Sequence, residues 1–208
     1  MATPSDLSSL PQHPFWTFSC QVYAKTQNHL LSFQNRYDLN INVLLFCFWF
    51  AANNACVLAK HDLKVILTSI HVWHKRIVLP LRQLRSSIKR TEVSALSEIL
   101  RPEVLEAELT AEYIEELLIV DAAPRKYSAR HKSVQQRVVQ ACQNLLTYCQ
   151  SVYVTLDDVD CQNIGFILHN VFPDMMPQEA LELCQTLLLH KQQVLKKPVG
   201  LRQMQLEF

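Results

Sequence analysis

Residues 43–52, VLLFCFWFAA, are apolar without interruption and include Phe46, Phe48, Trp49 and Phe50. A helix of this composition has no polar face, so protein or lipid must enclose it on every side. Ten residues rise only about 15 Å, half of a hydrocarbon core. Reaching spanning length would bury Asn53 and Asn54. The stretch therefore reads as the centre of a helical bundle, and integral membrane insertion is not expected.

Glycine usage supports the same class. The 208 residues hold two glycines, Gly165 and Gly200. Phosphate-cradling loops, tight hairpins and nucleophile elbows need glycine for positive φ or close backbone approach. Apolar residues recur at helical spacing almost throughout, and no alternating strand run is seen. The chain is expected to be all-α, a single-domain bundle of seven or eight helices around a central apolar helix at about 40–60. Residues 1–13 form a disordered arm, 14–196 the helical domain with 128–196 as its C-terminal helices, and 197–208 a loose tail.

Within the domain, Pro14 suits a first helical turn and opens a helix to about Thr26, with a second from about Asn28 to Tyr37. Asn40 caps the apolar helix. Asp62 caps a helix to about Arg90 that Pro80 kinks or splits. An acidic helix covers Glu92 to Ala122, bent near Pro102. Ser128 opens a helix to about Val154, followed by helices over about 157–170 and 177–196.

Charge falls in blocks. Residues 61–91 hold 7 basic and 1 acidic side chains, net +6; residues 92–124 hold 1 and 9, net −8; residues 125–138 hold 5 and 0, net +5. Antiparallel neighbours of opposite charge would complement each other along exposed edges. Glu108, Glu112, Glu115 and Glu116 read as a solvated acidic face toward the basic helix. The segment containing Arg125, Lys126, Arg130, Lys132 and Arg137 is the candidate interaction surface for an acidic partner.

Other constellations are incomplete. His71 and His74 share a helix face, but no local carboxylate or cysteine completes a metal site. The LDDVD stretch, Leu156 to Asp160, lacks the second aspartate cluster that a Mg²⁺–diphosphate site needs and reads as a helix start. The glutamates lack the Glu-x-x-His of di-iron bundles. Seven scattered cysteines form no CxxC pair, and the N-terminus has no signal-peptide pattern; both suit a reducing cytoplasm. Asn42, Phe46, Trp49 and Asn53 fall on one helical stripe, so with Trp16 and Tyr23 they could line a ligand pocket.

Three segments together resemble a known family. PFWTFSCQVY (Pro14 to Tyr23), NINVLLFCFW (Asn40 to Trp49), and Trp73 followed by VLPLRQLRSSIK (Val78 to Lys89) occur in order. They are similar to the FWxFS, DVNxLLFCxW and W…PLR hallmarks of a proteobacterial helical domain of unknown function. The matching positions are Phe15, Trp16, Phe18, Ser19, Tyr23, Asn42, Leu44, Leu45, Phe46, Cys47, Trp49, Trp73, Pro80, Leu81 and Arg82. The likeness is specific over 14–89 and continues weakly through the acidic helix. KTQN replaces the family's Pro-Gly turn, Asn40 its aspartate, and Asp38 its glycine.

The resemblance implies a fold and brings no reaction, cofactor or partner. No catalytic residue, metal or other cofactor is expected. The expected role is a non-catalytic helical interaction protein of the bacterial cytoplasm, with another protein as partner and nucleic acid not expected. The alternative is a helical protein that binds a small or apolar ligand, with or without catalysis, through Trp16, Tyr23, Asn42, Trp49 and Asn53. On that alternative, Asn42→Ala should abolish binding at little cost in stability.

Overall fold

The computed structural model describes residues 13–53, 57–90, 97–125 and 132–189. Among them the chain forms α1 (Pro14–Tyr37), α2 (Ile41–Ala52), α3 (Lys60–Trp73), α4 (Leu79–Arg90), α5 (Ser97–Ala122), α6 (Val134–Ser151), α7 (Asp158–Val171) and α8 (Pro177–Cys184). Short π-helical segments, His74–Val78 and Gln185–Leu189, join α3 to α4 and extend α8. No strand occurs among the described residues. The fold is the all-α bundle that the sequence implied.

Every residue from Ile41 to Ala51 is buried. Around α2 lie α1, α5, α6 and α7, while α3 packs on α5 and α6, and α4 runs along α5. Cys161, Ile164, Ile167 and Leu168 of α7 belong to the same core as Phe15 and Phe46, so the chain beyond residue 155 is part of this bundle. Gly165 marks the closest packing, because a Cβ there would lie 3.2 Å from the Leu181 backbone on α8. No helix among the described residues is long and apolar enough to cross a membrane.

Four boundaries differ from the sequence reading. First, α1 is continuous over 24 residues. Its buried stripe, Phe15, Ser19, Val22, Thr26, Leu30 and Phe33, runs through the expected break. Thr26 lies buried on that stripe, and its hydroxyl is satisfied by donating to the Val22 carbonyl at 2.8 Å,.

Second, the central helix stops at Ala52 instead of reaching Lys60. Asn53 donates its side-chain amide to the Trp49 carbonyl, and Arg137 of α6 donates Nη1 to the Ala52 carbonyl at 3.1 Å. The Trp49 carbonyl already accepts the Asn53 backbone N–H, so Asn53 bonds it twice, while the Ala52 carbonyl, which a longer helix would have paired, is satisfied by the Arg137 side chain,. Asn144 of α6 accepts from the Leu58 N–H at 2.8 Å and donates to the Cys47 carbonyl at 3.1 Å. Asp62 then accepts from the Ala59 N–H to start α3.

Third, Pro80 is accommodated one turn ahead. Proline lacks an N–H and crowds the carbonyl four residues back. The chain widens into a π segment, with Leu79 donating to the His74 carbonyl five residues back,.

Fourth, α6 begins at Val134 with a Ser133–Gln136 capping box. The expected start at Ser128 lies outside the described residues, as do the N-terminal arm to residue 12, the start at Glu92 and the tail.

Asp38 ends α1 in the left-handed region, φ 54° and ψ 32°. A Cβ is penalised there. Asp38→Gly is therefore expected to stabilise the protein by about 0.5–1 kcal/mol, less than the full penalty because glycine also loosens the unfolded chain. Urea unfolding checks this; a loss of stability would show that the aspartate makes a compensating contact.

Candidate functional site

The candidate site lies between four helices, each contributing one helical stripe. From α1 come Trp16, Ser19, Tyr23, Gln27, Leu31 and Gln34, at steps of three and four, with Cys20 beside Ser19,. Ile41, Asn42 and Leu45 come from α2; Arg82 and Arg85 from α4. Leu105, Glu108, Leu109, Glu112 and Glu116 come from α5. Together they line a cavity of about 260 Å³. That is the liquid volume of roughly eight or nine waters.

The polar lining is ordered by α4 and α5, which run antiparallel. No residue of α4 is buried, and its charged face turns to α5. Arg82 donates Nη2 to Glu112 at 2.6 Å and Nε to Glu108 at 3.3 Å. Arg85 grips Glu108 through both Nε and Nη2. The charge complementarity read from the sequence is present. The acidic face, however, is not solvated: Glu108, Glu115 and Glu116 are buried. Helix α5 is covered by α1, α2, α3 and α4, so few of its faces remain free for acidic side chains.

Glu115 is paired on both oxygens. Asn42 of α2 donates to Oε2 at 2.7 Å, and His74 Nδ1 lies 2.7 Å from Oε1. Asn40 caps α2 through Oδ1 and sets its Nδ2 3.0 Å from the same imidazole nitrogen. His74 therefore has a structural hydrogen-bond role beside the cavity. His71 is exposed on α3. Among the described residues, no cluster of three or more His, Cys, Asp or Glu is arranged to hold a metal ion.

Glu116 differs from its neighbours. It is 2% exposed, and neither carboxyl oxygen has a hydrogen-bond partner among the described residues. Ser19 Oγ is buried on the facing helix, close enough for its hydroxyl to act on the Glu116 carboxyl yet outside hydrogen-bond geometry. Burial pushes the Glu116 carboxyl up to about 8; the nearby Ser19 hydroxyl opposes this, and Glu112 and Glu115 reinforce it. Burial also raises Glu112, against the pull of Arg82. At the mouth, Cys20 is raised by burial and then by Glu116 and Glu112. That shift is opposite to the one a nucleophilic thiol needs.

Of the five residues expected to line a pocket, Trp16, Tyr23 and Asn42 line this cavity. Trp49 packs against Phe15 and Phe46, at ring-centroid distances of 5.2 and 5.8 Å, and borders a separate cleft with Leu117, Val120 and Arg125. Asn53 turns back on its own helix to bond the Trp49 carbonyl. The expected cheap Asn42→Ala test also changes meaning, because alanine would strip a buried carboxylate of a donor. It would lower stability.

The basic segment is altered as well. Arg137 is not free for a partner: it bonds the Ala52 carbonyl and lies over the Phe172 ring at 5.8 Å. Lys132 donates to Gln140 at 3.0 Å. Arg125 is exposed, while Lys126 and Arg130 lie outside the described residues. In LDDVD, Asp157 caps α7, and Asp160 completes the capping box. Arg36 binds both aspartates at 2.7 Å, and Tyr37 donates to Asp160 at 2.6 Å. The Arg36 guanidinium, with the Asp160 backbone, holds Asp157 down to about 2. The stretch is a helix start tied to α1.

Sequence reasoning missed Arg85, Glu108, Glu112 and Glu116 as a cavity wall. A signal was available: each set keeps three- and four-residue spacing on adjacent oppositely charged helices. That pattern identifies facing surfaces without saying which are covered.

Fold and site define an all-helical protein whose cavity has apolar walls and a buried acid–base lining. The chain belongs to the family described as "Protein of unknown function (DUF2390)", whose model matches residues 14–118. The whole cavity lining, from Trp16 to Glu116, falls within that span. No curated protein and no solved structure matches the chain.

Proposed function

We propose that the protein binds a small molecule in the cavity between α1, α2, α4 and α5. The observation carrying this reading is the convergence of fixed polar groups from four helices on one apolar-walled cavity. Ligand sites are built in this way, with a few placed polar groups among apolar and aromatic side chains. Plain core packing would close such a space. Leu105 and Leu109, 42% and 44% exposed, form an apolar rim at the mouth.

Docking of another protein through the 125–137 segment has less support, since Arg137 is committed to the helix end it caps. A cytoplasmic location suits the free thiols of Cys47, Cys142, Cys149, Cys161 and Cys184, all buried in the core,.

Native mass spectrometry of the protein purified from its own host is expected to show a small bound species. A Leu109→Trp variant, with an indole across the mouth, should lack it while melting at the same temperature as the unaltered protein freed of its ligand. Bare mass for both proteins, together with unchanged tryptophan fluorescence across a small-molecule library, would overturn the reading.

A further inference from the structure

We infer that the cavity takes a small primary amine, with its ammonium group on Glu116 and Ser19 and its apolar part against Trp16 and Tyr23. This inference rests on the small-molecule reading above and assigns the ligand's chemistry.

Charge balance gives the first argument. The lining holds two guanidinium cations, Arg82 and Arg85, and three carboxyl groups, Glu108, Glu112 and Glu116. Arg82 and Arg85 are already engaged by Glu108 and Glu112. Glu116 is the carboxyl left over: burial keeps it protonated in the empty cavity, and it supplies the balancing charge when a cation binds and its proton passes to solvent. An anionic ligand would have to displace one of those internal pairs, whereas a cation needs no displacement.

Hydrogen-bond capacity gives the second. Glu116 Oε1, Glu116 Oε2 and Ser19 Oγ lie beneath the cavity surface without hydrogen-bond partners among the described residues, so an ammonium group reaches them when the Glu116 side chain turns outward. A buried polar atom without a partner costs roughly 1–3 kcal/mol. These atoms offer three acceptors, and a primary ammonium carries three N–H donors. Ionising the carboxyl in an empty cavity is unfavourable, and a cation at its oxygens offsets that cost.

The aromatic wall gives the third. Trp16 and Tyr23 lie on the α1 stripe that also carries Ser19. Trp16 is steadied edge-on by Tyr113, with centroids 5.3 Å apart. Aromatic faces attract ammonium groups and pack against short apolar chains.

Isothermal calorimetry on the full chain at pH 7.5 tests this with three probes of matched size: 2-phenylethylamine, 2-phenylethanol and phenylacetate. The amine is expected to bind at least tenfold more tightly than the alcohol, with phenylacetate weakest. Glu116→Gln should remove the preference for amine over alcohol while the alcohol still binds. Glu116→Asp, which keeps the charge but withdraws it by one methylene, should reduce the preference.

Equal affinity for amine and alcohol in the unaltered protein would overturn the amine assignment and leave the small-molecule reading standing. A preference for phenylacetate would overturn it in favour of an anion on Arg82 and Arg85. Absence of binding by all three overturns it too; the small-molecule reading falls with it only if the host-purified protein also carries nothing.

Discussion

Replacing Glu116 by glutamine is expected to flatten the alkaline side of the stability profile and raise stability at pH 9 by about 3–5 kcal/mol. Burial moves this carboxyl from an ordinary 4.5 to about 8. The native state therefore holds a proton that the unfolded chain releases. The group's contribution is intact below pH 4.5 and falls as pH rises to 8, beyond which the loss is constant. Each unit is worth about 1.4 kcal/mol, so the full loss is about 5 kcal/mol.

Glutamine resembles the neutral acid in size and cannot ionise. At pH 5 the two proteins should agree within about 1 kcal/mol, the net scale of one hydrogen bond. Glu112, raised by burial as well, remains in the variant and leaves a residual slope. Urea unfolding of the ligand-free protein at pH 5, 7 and 9 checks the result. A difference that does not change with pH would show that Glu116 is already ionised at pH 5.

Arg82→Met is expected to cost about 3–4 kcal/mol at pH 7, because it leaves part of a buried acidic cluster without its cation. Arg82 is only 21% exposed on its side chain, and it bridges two glutamates on successive turns of α5. Arg85 still grips Glu108, so Glu112 loses most. Adding Glu112→Gln should recover more than half of the loss. A double-mutant cycle by urea unfolding measures this coupling. A single-variant loss under about 1 kcal/mol would place the cluster with ordinary solvated surface pairs.

Both expectations depend on burial, which the charge blocks did not disclose. Opposite net charges on residues 61–91 and 92–124 predicted that these segments face each other, and Arg82, Arg85, Glu108 and Glu112 do so. Whether the facing edges were wet depended on α1 and α2 closing over α5. Those contacts join residues 97 positions apart for Trp16 and Tyr113 and 73 for Asn42 and Glu115, beyond the reach of any local pattern.

The limits of α2 show the same division. Its start was legible, because Asn40 is a strong cap and its Oδ1 accepts from the Asn42 and Val43 N–H groups,. Its end was not, since apolar residues resume after Asn53 and Asn54 and no proline or glycine forbids more helix. The partners that receive the chain there come from α6: Arg137 donates to the Ala52 carbonyl, and Asn144 accepts from the Leu58 N–H. Pro80 marked a defect that sequence could locate, but not the π widening that absorbs it.

By itself, the sequence determined the class and the centre of this protein. Scarce glycine and helical spacing select an all-α chain, and a helix apolar on every side can only sit where others surround it. Only the tertiary structure decided which side chains share the cavity and which carboxyl lacks a partner. Helical periodicity assigns a residue to a face, whereas burial and pairing depend on which distant helix covers that face. Asn42 shows both levels: its stripe was readable, but its partner, Glu115, came from a helix 73 residues away.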